Sequence, residues 1–324
     1  MISRLSVSQS VRIRYLAKWT VSIALIIVAL RTVDIDSVFQ SIQAVNLHQY
    51  IIIIVTAWCI QLATTAKWRL LNPTIDFRQL LRTNVVSQFY AFLIPSSLTG
   101  DVARVFKLEA AKHNRDLHAT VVIVDRLTGL LATIVIMAVV SPSYAHRYEI
   151  MGQLIGVISP ISLILMTTLV LGYSLPLGRM MRHRIIKLVR RQERLPRFLT
   201  RMAYLVGMSG QFMKPHLMIK SVLAGIGVHL LNAAYQYLLF SAFAVHVSVV
   251  DCIVVSAISQ LASTIPIGIA GIGPRDLSIV GFATALGAKP SNVVASLFAG
   301  YPVILMIVFV GLWLDAKADA QKPL

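Results

Sequence analysis

Residues 92–104 read FLIPSSLTGDVAR, and residues 263–276 read STIPIGIAGIGPRD. Each stretch places Ile-Pro before small residues, then glycine, then an Asp and an Arg close together. Each interrupts an apolar run. Pro95 and Pro266 cannot donate a backbone hydrogen bond, and the glycines after them favour unwound backbone. Open peptide groups at membrane depth persist only where protein buries them or where they line a cavity. Two such interruptions in corresponding halves of a chain point to a transport site.

Working outward, the composition agrees. The chain of 324 residues is 57% hydrophobic and 13% charged, against about 25% charged for soluble domains. Its mean hydropathy is +0.76. This is the composition of a polytopic membrane protein. The formal charge of +17 raises nucleic-acid binding as a rival. The cations flank apolar runs, however, as the positive-inside rule requires, so no nucleic-acid partner is expected. Cys59 and Cys252 both fall in apolar segments, which predicts helix packing rather than a disulfide or metal site.

Six full spans are predicted at about 16–33, 50–66, 119–141, 152–175, 217–245 and 291–314. Arg4, Arg12, Arg14 and Lys18 precede the first, and Arg31 follows it without a small-residue cleavage site, so it reads as an uncleaved span. The runs 79–97 and 251–269 are weaker and end in the two breaks; both are predicted to be re-entrant half-helices. The fold expected is an all-α polytopic membrane protein of one domain, 1–324. Its halves, 1–145 and 146–315, would form an inverted pseudo-repeat.

Loop charge sets the expected orientation. Loop 34–49 holds Asp34 and Asp36 and no cation, hence external. Residues 67–82 hold Lys67, Arg69, Arg78 and Arg82, hence cytoplasmic. Residues 142–151 are nearly neutral and residues 246–251 hold only Asp251, hence external. Segment 176–216 holds ten Lys/Arg (Arg179, Arg182, Arg184, Lys187, Arg190, Arg191, Arg194, Arg197, Arg201 and Lys214) against Glu193, hence cytoplasmic. Both termini are then cytoplasmic, and the two half-helices enter from opposite sides. Segment 176–216 reads as a topology anchor lying on the inner surface; gathering anionic lipid is its second reading.

TGDVARVFKL (99–108), VDRLTGLL (124–131) and IPIGIAGIGPRD (265–276) together resemble the lysylphosphatidylglycerol synthase transmembrane-region family. That family is the flippase-like part of bacterial multiple-peptide-resistance factors and also occurs as standalone proteins. The resemblance covers about 15–315. It implies lipid translocation in the bacterial inner membrane. Thr99 replaces the first glycine of the family pattern P-x-x-x-G-G-D-x-x-R. Asp276 stands where the family usually has Glu, one methylene shorter, and Pro274 precedes Arg275. The family's lipid-synthesising domain lies C-terminal to this region, and only ten residues follow Leu314. A standalone member without synthase activity is therefore expected, with a separate enzyme as a possible supplier of its lipid.

The candidate substrate-binding residues are Gly100, Asp101, Arg104, Asp125, Arg126, Gly271, Gly273, Arg275 and Asp276. Asp101 and Arg104 share a helix face if 100–110 is helical. That helix start suits an anionic phosphate, or Asp101 caps it instead. Asp125 and Arg126 are adjacent, so they point to different partners; Asp101 or a lipid phosphate could meet Arg126. Gly268, Gly271 and Gly273 allow close backbone approach, and the fork of Arg275 matches a phosphate bidentately. Asn84, Gln88, Asn232, Gln236 and Gln260 are neutral polar groups that either line a headgroup path or bond between helices.

The function expected is flipping of an anionic, aminoacylated or polyprenyl-linked lipid. Neither catalytic residue, metal nor cofactor is expected, membrane lipid being the partner and a homo-oligomer an open option. Two alternatives stay open: a secondary transporter of a small anionic solute, and an intramembrane enzyme acting on lipid-phosphates. The second has weak support, because Asp34-Ile35-Asp36 lies on the expected outer side and no hydrolytic motif stands out.

Overall fold

The computed structural model describes residues 45–93, 99–109, 115–145, 214–264 and 273–320, with the single positions Pro160, Ile164 and Arg184. These residues form eight α-helices and no strand. In chain order they are α1 (Leu47–Leu71), α2 (Phe77–Leu93), α3 (Thr99–Glu109), α4 (Arg115–Ala145), α5 (Pro215–Ala242), α6 (Val249–Ser263), α7 (Pro274–Ala285) and α8 (Pro290–Ala320). The expected spans 16–33 and 152–175 lie outside the described residues, as do Asp34, Asp36 and nearly all of the basic segment 176–216.

Among the described residues, four helices are long and apolar enough to cross a membrane: Leu47–Leu71, Asp116–Val140, His216–Ala242 and Pro290–Lys317. At about 1.5 Å per residue, α1 is about 38 Å long, more than the hydrocarbon core of about 30 Å. By the same measure α2, α3, α6 and α7 are about 26, 17, 23 and 18 Å long, each short of a full span. The two Pro/Gly breaks fall between α2 and α3 and between α6 and α7.

Local chemistry explains where helices stop. Leu71 is followed by a turn, 72–76, and α2 then starts at Phe77, with the Asp76 carboxylate accepting from the Arg78 N–H at 2.9 Å. Lys67, Arg69 and Arg82 thus lie inside helices; they had been counted as loop cations. Lys67 is buried. The expected loop acid Asp251 is likewise a structural residue. Its N–H donates to the Ser248 hydroxyl at 3.1 Å, and its carboxylate accepts from the Ser248 N–H at 2.8 Å. This reciprocal cap opens α6 and is typically worth about 1 kcal/mol. Pro274 takes the first position of α7, where a missing N–H costs nothing.

The described residues divide into two compact units. In one, from 45–61, 81–93, 99–104, 230–264 and 273–320, the end of α5 packs with α6, α7 and the start of α8. Phe240, Phe243, Cys252, Val255, Ile279 and Val293 form that core. Ile53, Ala57, Val85, Leu239, Val303 and Ile307 form a second core. Here α8 approaches α2 so closely that a Cβ on Gly311 would lie 2.6 Å from the Val85 carbonyl oxygen. Such contact between small residues and backbone is how membrane helices gain packing without a hydrophobic drive. In the other unit, Trp68, Leu71, Leu80, Leu108, Val121, Val124 and Leu131 form the core. Cys252 is buried as expected, whereas Cys59 is exposed.

Candidate functional site

Two arginine–aspartate pairs stand at the starts of α3 and α7. Asp101 lies in the first turn of α3, and Arg104 follows one turn on. Their charged atoms are 3.6 Å apart, on the shared face that the spacing predicts. Arg104 also donates through Nε to the Ser87 hydroxyl at 3.2 Å and through a terminal nitrogen to the Asn84 side-chain oxygen. The Asn84 amide in turn donates to the Gln61 side-chain oxygen at 3.0 Å. One guanidinium is thus held by one carboxylate and two neutral acceptors, with side chains of both charged residues largely buried. Gly100 makes this possible. A Cβ there would lie 3.2 Å from Ala91 and 3.3 Å from the Ser87 carbonyl, so only a minimal residue lets α3 lie this close to α2.

The second pair is organised around its carboxylate. Arg275 Nε and a terminal nitrogen each lie 3.0 Å from one oxygen of Asp276. The other oxygen accepts from the Tyr301 hydroxyl at 2.7 Å and from the Gly273 N–H at 3.4 Å. Gly273 has φ of 113°, a region that side chains rarely tolerate, and this turn points its N–H at Asp276. Tyr301 stacks edge-on against Phe298, ring centres 5.7 Å apart, one residue before Pro302 inside α8. The Tyr235 hydroxyl is buried beside Gly300, with no hydrogen-bond partner among the described residues. Tyr301 and Tyr235 were not foreseen. The only signal for Tyr301 was a hydroxyl next to a proline in an otherwise apolar span.

Of the other candidates, Asp125 takes an ion-pair partner from α1. It pairs with Lys67, whose ammonium lies 2.8 Å from the carboxylate and donates to the Asp125 carbonyl at 2.8 Å. Arg126 lies beside Asp125 on α4, partly buried. Gly271, Gly268, Pro95 and Pro266 lie outside the described residues. Among the neutral polar positions, Asn84 joins the Arg104 cluster, Gln260 is exposed, and Gln236 is buried with its amide nitrogen unpartnered among the described residues.

The sequence profile of the Lysylphosphatidylglycerol synthase TM region family matches residues 15–313. The chain belongs to this family. No curated protein matches it in sequence. The family match includes both Arg–Asp pairs and the Asp125–Arg126 dipeptide, and it agrees with the helical structure and its four long apolar helices. The protein is therefore an α-helical integral membrane protein with a lipid-related role.

Proposed function

We propose that this protein moves a lipid with a phosphate-bearing headgroup between the leaflets of a bacterial inner membrane. The observation that carries the reading is the pair of partly buried arginines, Arg104 and Arg275, each beside an aspartate at the start of a helix that follows a Pro/Gly break. Ionised groups are costly within a membrane and are kept there mainly for function. A helix start adds partial positive charge and free N–H groups, which favour an anion. Asp101 and Asp276 hold the arginines when no headgroup is present. A phosphate then exchanges for the carboxylate as counterion, and the acyl tails stay in the bilayer.

In this reading the α2–α3 and α6–α7 pairs are re-entrant elements that enter from opposite sides. Their lengths support this, since none of the four helices spans alone. Gly273, in a turn that a side chain would rarely tolerate, permits close approach of backbone to headgroup. The protein translocates lipid made by a separate enzyme and performs no synthesis itself. Both termini face the cytoplasm.

The test is reconstitution in liposomes with a fluorescent phosphatidylglycerol, following loss of outer-leaflet signal on dithionite quenching. Wild type should accelerate leaflet exchange, and Arg275→Ala and Arg104→Ala should each slow it at least about ten-fold, the effect of losing about 1.4 kcal/mol of binding. Folded wild type that moves none of several headgroups, but carries a soluble anion, would replace this reading with solute transport.

A further inference from the structure

A second polar cluster lies in the other compact unit, and the lipid-binding reading makes no use of it. Three helices contribute. On α4, Asp125, Gly129 and Thr133 recur every four residues and share a face. On α5, Ser221, Gly225 and His229 do the same. Lys67 reaches in from α1. A Cβ on Gly225 would lie 2.9 Å from Ala132 and 3.6 Å from the Lys67 stem, so this glycine is the space in which the lysine lies. Lys67 Nζ is 3.6 Å from where a Cβ would stand on Gly129. The Gly129 carbonyl in turn lies 3.2 Å from His229 Nε2, and Thr133 Oγ1 lies 2.9 Å from the same nitrogen. Ser221 donates to Thr128 at 3.0 Å, extending the seam towards the start of α5.

The chemistry of His229 follows from these partners. A carbonyl accepts only, so the contact to Gly129 places the proton on Nε2. Nδ1 then carries a lone pair. It is buried and has no hydrogen-bond partner among the described residues. His229 is fourteen residues into α5, about 21 Å along its axis, near the middle of the span. His229 Nδ1 is thus a buried imidazole nitrogen with an open lone pair, on the same face of α5 as Gly225, near which the Lys67 stem lies.

We propose that Lys67, Asp125 and His229 form an intramembrane proton-binding site that ties lipid movement to the proton gradient. This rests on the translocation reading above. At rest the cluster is neutral overall: Lys67⁺, Asp125⁻ and uncharged His229. A proton from water binds His229 Nδ1 and makes an imidazolium; it leaves from the same nitrogen to the opposite side. The added charge is positive, and the lipid headgroup is negative. Carrying both together moves no net charge, which removes the cost of about 2.3 kcal/mol per charge at 100 mV. Among the described residues, the charged groups nearest His229 in this cluster are Lys67 from α1 and Asp125 from α4. His118, also buried, lies two turns before Asp125 on α4. Arg126 is about 100° round α4 from Asp125, and Lys220 of α5 is exposed.

Two measurements test this. First, ¹⁵N-histidine spectra of the full chain in nanodiscs are recorded from about pH 5 to pH 8, where imidazole ordinarily changes charge. One signal should titrate and be missing in His229→Gln, whose amide can still donate to Gly129. A His229 signal that stays constant across that range overturns the proton site, whether or not lipid moves. Second, proteoliposomes with fluorescent phosphatidylglycerol are given a gradient of one pH unit with the potential clamped. One proton per lipid predicts a steady leaflet ratio of about ten. His229→Gln should relax to a ratio of about one while still exchanging lipid. Wild type that exchanges lipid but settles at one overturns the coupling. Should wild type exchange no lipid at all, the translocation reading falls, and with it the coupling, while the spectra still decide the proton site.

Discussion

The pairs at α3 and α7 use the same two residue types at the same place on a helix, yet they are built differently. At α3 the arginine is the hub: Arg104 is shared among Asp101, Ser87 and Asn84, and its carboxylate contact is long at 3.6 Å. At α7 the carboxylate is the hub: Asp276 takes two short contacts from Arg275 and two more from Tyr301 and Gly273. The lesson is that one motif can hold a cation loosely or an anion firmly. Arg104 keeps neutral partners if Asp101 leaves; Arg275 has no comparable reserve among the described residues.

Asp276→Asn should sharpen this contrast most. It leaves a partly buried guanidinium without its counterion, at a cost of about 3 kcal/mol, the low end for a buried pair, read as denaturant unfolding in detergent. Equal loss in Asp101→Asn would break the comparison. Tyr301→Phe removes a hydrogen bond to a charged group and should cost about 1.5–3 kcal/mol in the same assay. It should also leave Asp276 less firmly fixed, so that lipid exchange changes along with stability. Asp101→Asn is expected to cost about 1 kcal/mol, because Ser87 and Asn84 still receive Arg104. Its main effect should be on the concentration of lipid needed for half-maximal exchange.

The smallest effect is expected for Gly100→Ala. Helix propensity favours alanine by about 1 kcal/mol, and the close contacts to Ala91 and the Ser87 carbonyl oppose it. Net stability should change by less than about 1 kcal/mol, measured by thermal unfolding. The added methyl nonetheless pushes α3 from α2, so the Arg104–Ser87 contact loosens and lipid exchange slows. Gly281→Ala, where nothing lies within 4 Å of the added carbon, is the matched control for propensity alone.

Much of the fold was legible because membrane helices announce themselves by length and hydropathy. The spans around 50–66, 119–141, 217–245 and 291–314 all appear, with ends shifted by a few residues where Lys67 and Arg69 extend α1. The placement of Asp101 and Arg104 on one face followed from their spacing. A cation at a span's edge does not by itself mark a loop, since Lys67 and Arg69 lie within α1. Lys67 is buried, and its stem runs along apolar helix before its ammonium meets a carboxylate.

The sequence by itself determined that this is a helical membrane protein, where its two breaks fall, and that an arginine and an aspartate follow each. Those are local properties, set by hydropathy, by proline's missing donor and by glycine's missing side chain. Only the tertiary structure decided who meets whom: Lys67 with Asp125, Arg104 with Asn84, Asp276 with Tyr301, and His229 with Thr133. Each of these partnerships joins separate helices. Inside a membrane, packing and hydrogen bonding between helices choose the facing surfaces, and hydropathy, nearly uniform along a buried span, carries no record of that choice.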